Sequence, residues 1–206
     1  MTVVLLVAIL FCGGCKQAEA ADTCVTTFLS GMESGNKEQM QSCVSVSADP
    51  SVTALVNRYD TAALETELST GFSDTALDEK GTQARADLAR AYLKTLFHST
   101  SITKTHHEGH GVYTVTAEAV MAYESRLSDE MYGLLGDSIG TMSDDLYHGI
   151  ASNDAAAITQ AAGESLQFAA DRLSSSLSSN DYHTVTFVFT VQEENGSFYI
   201  TSMFEQ

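Results

Sequence analysis

The sequence predicts an α+β fold, an antiparallel sheet of about four strands with helices packed on one face. Three observations carry that expectation. The first hundred residues space their apolar positions three and four apart. The period then drops to two on either side of Glu108-Gly109-His110-Gly111. It drops to two again around Asn195-Gly196, a strong hairpin turn signal.

The first predicted helix starts at Asp22 as its cap and carries Val25, Phe28, Leu29 and Met32 on one face. Gly35-Asn36 ends it. A short helix over 37–44 turns Met40 and Cys43 inward, and a third over 51–69 packs through Leu55, Val56, Tyr59, Leu64 and Leu68. Residues 71–81 read as a loop. A stronger helix over 82–98 clusters Leu88, Tyr92, Leu93, Leu96 and Phe97.

Strands follow at 101–107 and 112–123, with Val115, Ala117, Ala119 and Met121 pointing to one side. Helical spacing resumes over 127–146, through Leu127, Met131, Leu134, Leu135, Ile139, Met142 and Leu146. Another helix over 152–177 uses Ile158, Ala162, Leu166, Ala169, Leu173 and Leu177, and leaves through a serine-rich stretch. Residues 182–191 alternate cleanly, with Val185, Phe187, Phe189 and Val191 on one face, and Phe198 and Ile200 mark the return strand. No internal repeat or composition break divides residues 22–206, so they read as one domain.

Residues 3–11 form an unbroken apolar run. It is shorter than the roughly 20 residues that span a bilayer and fits the apolar region of a signal peptide. Gly13, Gly14 and Cys15 follow. This junction resembles the lipobox of bacterial lipoproteins. The resemblance implies that residues 1–14 are a cleaved signal peptide and that Cys15 is lipidated, carrying palmitate, as the mature N-terminus. Residues 15–21 are then a tether, and the domain lies outside the cell, anchored to the membrane of the envelope. Two positions depart from the pattern. Cys12 stands where an aliphatic residue is usual, and no Lys or Arg precedes the apolar run. A start placed too far downstream would account for the second. The rival readings are an unlipidated secretory signal and a cytosolic protein with a buried N-terminal strand. With Cys12 and Cys15 so assigned, Cys24 and Cys43 form an even pair in a compartment that permits disulfides. Their inward positions on adjacent helices suit either a bridge or two buried thiols.

The 206 residues carry 10 basic and 27 acidic side chains, a formal charge of −17. Such a surface repels phosphate backbones and anionic lipid headgroups alike. Nucleic acid is therefore excluded as a partner, and the folded domain does not dock on a membrane by its own charge. The expected partners are the membrane, through the lipid, and a small ligand or envelope protein.

Three stretches resemble small Gram-positive lipoproteins with a nuclear-transport-factor-2-like (cystatin-like) domain: residues 28–36, Gly111-Val112-Tyr113-Thr114-Val115-Thr116, and residues 185–200 with Phe198-Tyr199-Ile200 as the return. The likeness implies a cone-like sheet wrapped on helices and an envelope location. It implies no activity.

The densest set of chemistry-bearing residues is His106-His107-Glu108-Gly109-His110. Adjacent strand residues diverge, so His106 and His107 cannot readily share an ion. His107, Glu108 and His110 are the weak metal candidates, set against a solvated hairpin tip. Asp144 and His148 share a helical face and would be an acid–base pair or an exposed ion pair. Asn195-Gly196-Ser197 matches a glycosylation sequon, for which the turn reading suffices. No phosphate-cradling loop or nucleophile elbow occurs, so no catalytic residue, metal or cofactor is assigned. The expected function is a non-enzymatic module that binds a ligand or partner. The rival is a cone-fold enzyme of isomerase or dehydratase type, with Tyr113, Tyr123, His183 and Tyr199 lining its cavity. A cavity holding a desolvated acid and base would favour the enzyme. One filled by Phe and Leu would favour the binding module.

Overall fold

A four-stranded antiparallel meander, in the order β1-β2-β3-β4, forms the base of the molecule in the computed structural model. The structure describes the backbone of residues 2–71 and 77–206 and the side chains of residues 16–68 and 77–206. The strands are β1 (Phe97–Gly109), β2 (Val112–Ala122), β3 (Tyr182–Glu194) and β4 (Ser197–Glu205). Both hairpins turn through residues with positive φ, His110 (52°) and Gly111 (74°), then Asn195 (56°) and Gly196 (84°). These are the conformations a two-residue hairpin loop demands. β2 and β3 pair without a register shift, from Val112 opposite Gln192 to Ala122 opposite Tyr182.

The buried face follows the predicted alternation. Val115, Ala117, Ala119, Met121, Val185, Phe187, Phe189 and Val191 all lie inside. On this face pack helix α1 (Thr2–Ser34), through Val25, Phe28, Leu29 and Met32, and α5 (Glu79–Leu96), through Leu88, Leu93 and Leu96. Helix α8 (Ala155–Ser176) packs chiefly on α5, and α6 (Glu124–Asp137) and α7 (Asp144–Ala151) pack on α8. Asp154 caps α8, accepting from the backbone N–H of Ala156 at 2.8 Å. A Cβ on Gly163 would lie 3.2 Å from Cα of Gly81, so glycine at 163 is what lets α8 approach the backbone of α5 so closely. The fold class is thus α+β with helices against one open antiparallel sheet, as expected.

Several expected boundaries move, each for a visible reason. Asp22 is not a cap. The helix runs through it from well upstream, Ala18 and Ala21 already pack on the core, and the Asp22 carboxylate accepts a hydrogen bond from the Thr105 hydroxyl on β1. The expected tether therefore overlaps a packed stretch of helix. The single helix expected over 51–69 is two, α3 (Pro50–Arg58) and α4 (Thr61–Gly71). The break falls where Thr61 turns both its N–H (3.2 Å) and its hydroxyl (3.1 Å) to the carbonyl of Gly35. Leu55 and Leu64 are consequently only half-buried. The helix expected over 127–146 is also broken. α6 ends in a 3-10 turn at Ser138–Thr141, and α7 starts afresh with Ser143 as its cap. Ile139, expected inside, is 55% exposed. Helix α2 (Lys37–Ser42) ends early because the chain at Cys43–Asp49 leaves it to bond β4. Ile200 N–H donates to Cys43 O, Ser45 N–H to Ile200 O, and Asp49 N–H to Thr201 O. That segment covers the open edge of β4.

Candidate functional site

The interior between the sheet and the helices is filled. Phe28, Met32, Leu88, Phe187 and Phe189 are all fully buried between sheet and helices, and the Phe28 and Phe189 rings meet edge-to-face at 5.8 Å. The four residues proposed to line a cavity do not converge. Tyr113 is buried at the hairpin end of the sheet, stacked on His107 at 4.7 Å, with its hydroxyl donating to Gln17 Oε1 at 3.3 Å. Tyr123 and His183 lie at the opposite end, their rings stacked at 4.3 Å, and Tyr123 is 48% exposed. Tyr199 is half-buried on β4.

The histidine cluster does not come together either. His107 faces the core side, on Tyr113. Glu108 points to the other side, where it accepts from the Thr114 hydroxyl at 2.8 Å and stands 3.9 Å from His106 Nε2. His110 occupies the turn itself. The His107, Glu108 and His110 set is therefore split by the pleat of the strand, and among the described residues no three potential ligands are grouped to hold a metal. Asp144 and His148 share no hydrogen bond or ion pair among the described residues. His148 instead sits edge-on to Tyr147. Cys15 has its side chain outside the described residues. Cys24 and Cys43 are free, buried thiols beside one another, not at disulfide distance. Cys24 Sγ donates to Cys43 O at 3.7 Å. The neighbouring Cys24 thiol draws the Cys43 thiol below its ordinary value, and the same neighbour effect, with burial, pushes Cys24 up.

The feature with chemical character lies instead at the rim of the helical layer, at the end of the sheet away from the hairpin turns. α3, α4, α5 and α6 leave a cavity of about 330 Å³ there, floored by Leu64, Leu93 and Leu96. Leu64, Glu67, Tyr92 and Ser128 also wall a smaller adjoining recess of about 50 Å³, closed by Leu68, Met131 and Tyr132. Each wall has a local cause. Tyr92 stands one turn before Leu96 on α5, so its ring follows the apolar stripe to the surface. Its hydroxyl meets Ser128 Oγ at 3.1 Å. Arg58 ends α3 and Glu124 opens α6, so each charge complements its helix dipole. Arg58 Nη2 donates to both Glu124 carboxylate oxygens, at 2.6 and 2.7 Å, and the Arg58 guanidinium lies 5.4 Å from the centre of the Tyr59 ring. Burial pushes the Tyr59 hydroxyl up to about 12, and burial raises Tyr92 as well, so both stay neutral phenols across the physiological range.

Sequence reasoning placed Tyr59 and Tyr92 on apolar faces and passed over Arg58, Glu67, Glu124 and Ser128. The site is assembled from four helices, and Arg58 and Glu124 lie 66 positions apart, so no local spacing marks it. A second, larger groove of about 920 Å³ runs between α5 and α8 and is lined by amides and small residues such as Gln83, Gln160 and Gly163. Among the described residues no helix is long and apolar enough to cross a membrane.

No protein-family model, curated protein sequence or solved structure matches this chain.

Proposed function

We propose that this protein is an extracytoplasmic lipoprotein, anchored to the cell membrane through Cys15, whose domain is a non-enzymatic module that binds a ligand or partner. The observation that carries the binding reading is the filled interior. Phe28, Phe187, Phe189 and Leu88 occupy the place where a cone-fold isomerase or dehydratase would keep a desolvated acid and base. Asp144 and His148, the expected acid–base pair, share no hydrogen bond or ion pair among the described residues, and His148 sits against Tyr147 instead. The cavity at the rim supplies neutral phenols, a hydroxyl, an ion pair and an apolar floor. Such groups can hold a molecule through ring, hydroxyl and apolar contacts.

The anchoring half of the proposal rests on residues 3–11, Gly13-Gly14 and Cys15. It is tested by labelling cells with radioactive palmitate. Wild type is expected to take up label and stay with the membrane fraction, and Cys15→Ala is expected to lose both. Equal labelling of the two would refute lipidation at Cys15. The binding half is tested by comparing the full chain with a variant blocked at the rim, Ser128→Trp, for capture of compounds from an envelope extract, with mass spectrometry as the readout. Compounds retained by wild type and lost from the variant support it. Turnover of a compound by wild type would refute a non-enzymatic role.

A further inference from the structure

We infer that the outer face of the sheet is where two copies of this chain pair, sheet against sheet, as a dimer. The inference is independent of what the rim cavity holds. The helices cover the face that carries Val115, Phe187 and Phe189. The opposite face alternates with it, at the even-numbered positions 112–120 of β2 and 184–192 of β3. Among the described residues its apolar side chains, Val112, Val120, Val188, Tyr199 and Phe204, neither belong to the core nor pack against it.

The composition of this face suits a second copy. Of its ten positions on β2 and β3, five are Thr, three are Val, and Glu118 alone is charged. β4 continues it with Tyr199, Ser202 and Phe204, all uncharged. The whole chain carries −17, so most of its surface drives copies apart. A face poor in charge is where they can meet, and depletion of charge marks the centre of an interface. Lys104 on β1 and Glu118 are both exposed and without an ion pair among the described residues, so an unpaired charge of each sign is on hand.

Shape and size agree. Val188 is only 8% exposed although no helix lies over it, and its register partner on β4, Phe204, is 50% exposed. On the other side its partner is Thr116 of β2, half-buried. Val188 and Phe204 therefore form an apolar ridge bordered by threonine methyl groups. β2 and β3 pair without a bulge, and such a regular surface stacks on its own like at about 10 Å, as the layers of a β-sandwich do. Four strands about 4.8 Å apart, with eleven β2–β3 pairs at about 3.4 Å each, give a face of about 700 Å². Two copies would bury about 1,400 Å², which is within the range of stable protein interfaces.

The test is the mass of the full chain by sedimentation equilibrium, in a density-matched mild detergent that shields residues 3–11. Wild type is expected to pass from the 22.1 kDa monomer to the dimer between about 1 and about 100 μM, where interfaces of this size already associate. Thr116→Lys and Phe204→Lys each set a charge in the pairing face. Each also makes the chain less acidic, so weaker pairing would not come from long-range repulsion. Each is expected to raise the dimer dissociation constant at least about tenfold. Ser174→Lys, on the exposed surface of α8, is expected to leave it unchanged. Urea unfolding checks that every variant is folded. A monomeric wild type, a dimer retained by both face variants, or an equal loss in Ser174→Lys overturns the inference. Backbone amide shifts are recorded with soluble cell-wall glycan fragments as well. Outer-face shifts in a monomeric chain would overturn the pairing and assign the face to a sugar.

Discussion

Replacing Gly35 with Ala is expected to cost far more than any ordinary glycine-to-alanine change in this protein. Gly35 ends α1 with φ of +64°, its N–H bonded to Met32 O and the next N–H, of Asn36, bonded to Gly31 O. This is a Schellman closure, which favours glycine because a Cβ is strained in the left-handed region, at about 1 to 2 kcal/mol. Here the Cβ would also stand 2.1 Å from Thr61 Oγ1, 2.5 Å from Leu93 Cδ1 and 3.1 Å from the Thr61 backbone nitrogen. Relief requires moving Thr61, whose N–H and hydroxyl both donate to Gly35 O. Such crowding adds about 1 to 3 kcal/mol. The restricted unfolded chain returns about 0.4 to 1 kcal/mol, for a net loss of about 2 to 4 kcal/mol. Gly196→Ala is the matched control. Its φ is +84°, yet a Cβ there meets nothing within 4 Å, so only the conformational cost of about 1 kcal/mol applies. Urea unfolding of wild type and both variants measures the two losses as shifts in midpoint at constant slope. Equal shifts for the two variants would refute the claim that the α1–α4 junction is crowded.

Two further outcomes follow from titratable groups. The Asp181 carboxyl is held below its ordinary value of 3.8, chiefly by hydrogen bonds from the Ser178 hydroxyl and backbone N–H, with Arg126 adding to the effect. A depressed folded value contributes stability above pH 3.8 that is lost as the pH falls through the folded value. Asp181→Asn should therefore melt lower than wild type at neutral pH, with the gap narrowing in acid; a gap independent of pH would contradict this. For the thiols, Cys24→Ala should move the alkylation pH profile of Cys43 upward, toward the ordinary 9.0, and an unmoved profile would rule out the influence of Cys24 on Cys43. With oxidised glutathione as the oxidant, reduced to two glutathione thiols as it takes up the two electrons and protons, the two thiols are expected to close to bonding distance and bridge, for a loop worth about 3 kcal/mol. Intact mass of the protein after that treatment, under non-reducing conditions, decides it, and two free thiols would refute the bridge.

The strands were the most legible part of the fold. Their period of two survives because β2 and β3 bury one face along their whole paired length. Helices were legible as apolar stripes, but their ends less so. The break at residue 59 has one local signal, Asp60, whose carboxylate accepts from the Ala62 N–H and caps α4, and the carbonyl of Gly35, supplied by tertiary contact, holds Thr61 there. At Ile139 helical spacing suggested burial although no neighbouring element covers it. The candidate site was the least legible. Tyr59 and Tyr92 belong to the apolar stripes of their helices, so periodicity files them with the core. Only the pairing of Arg58 with Glu124 across two helix ends marks that corner as a place with chemistry. The histidine cluster drew notice by composition alone, and the pleat of β1 takes it apart.

The continuous helix α1 bears on how the molecule would stand on a membrane. Cys15 lies three residues before Ala18, which already packs on the core, a separation of about 5 Å along a helix. A lipid on Cys15 would leave the domain almost no slack, so it would be carried upright on its first helix rather than on a flexible leash. Gln17 reaches Glu193 and Tyr113 at the hairpin-turn end of the sheet, so that end would look down at the lipid headgroups. The Arg58–Glu124 corner, at the far end of the strands, would look outward, toward whatever diffuses in from the surroundings.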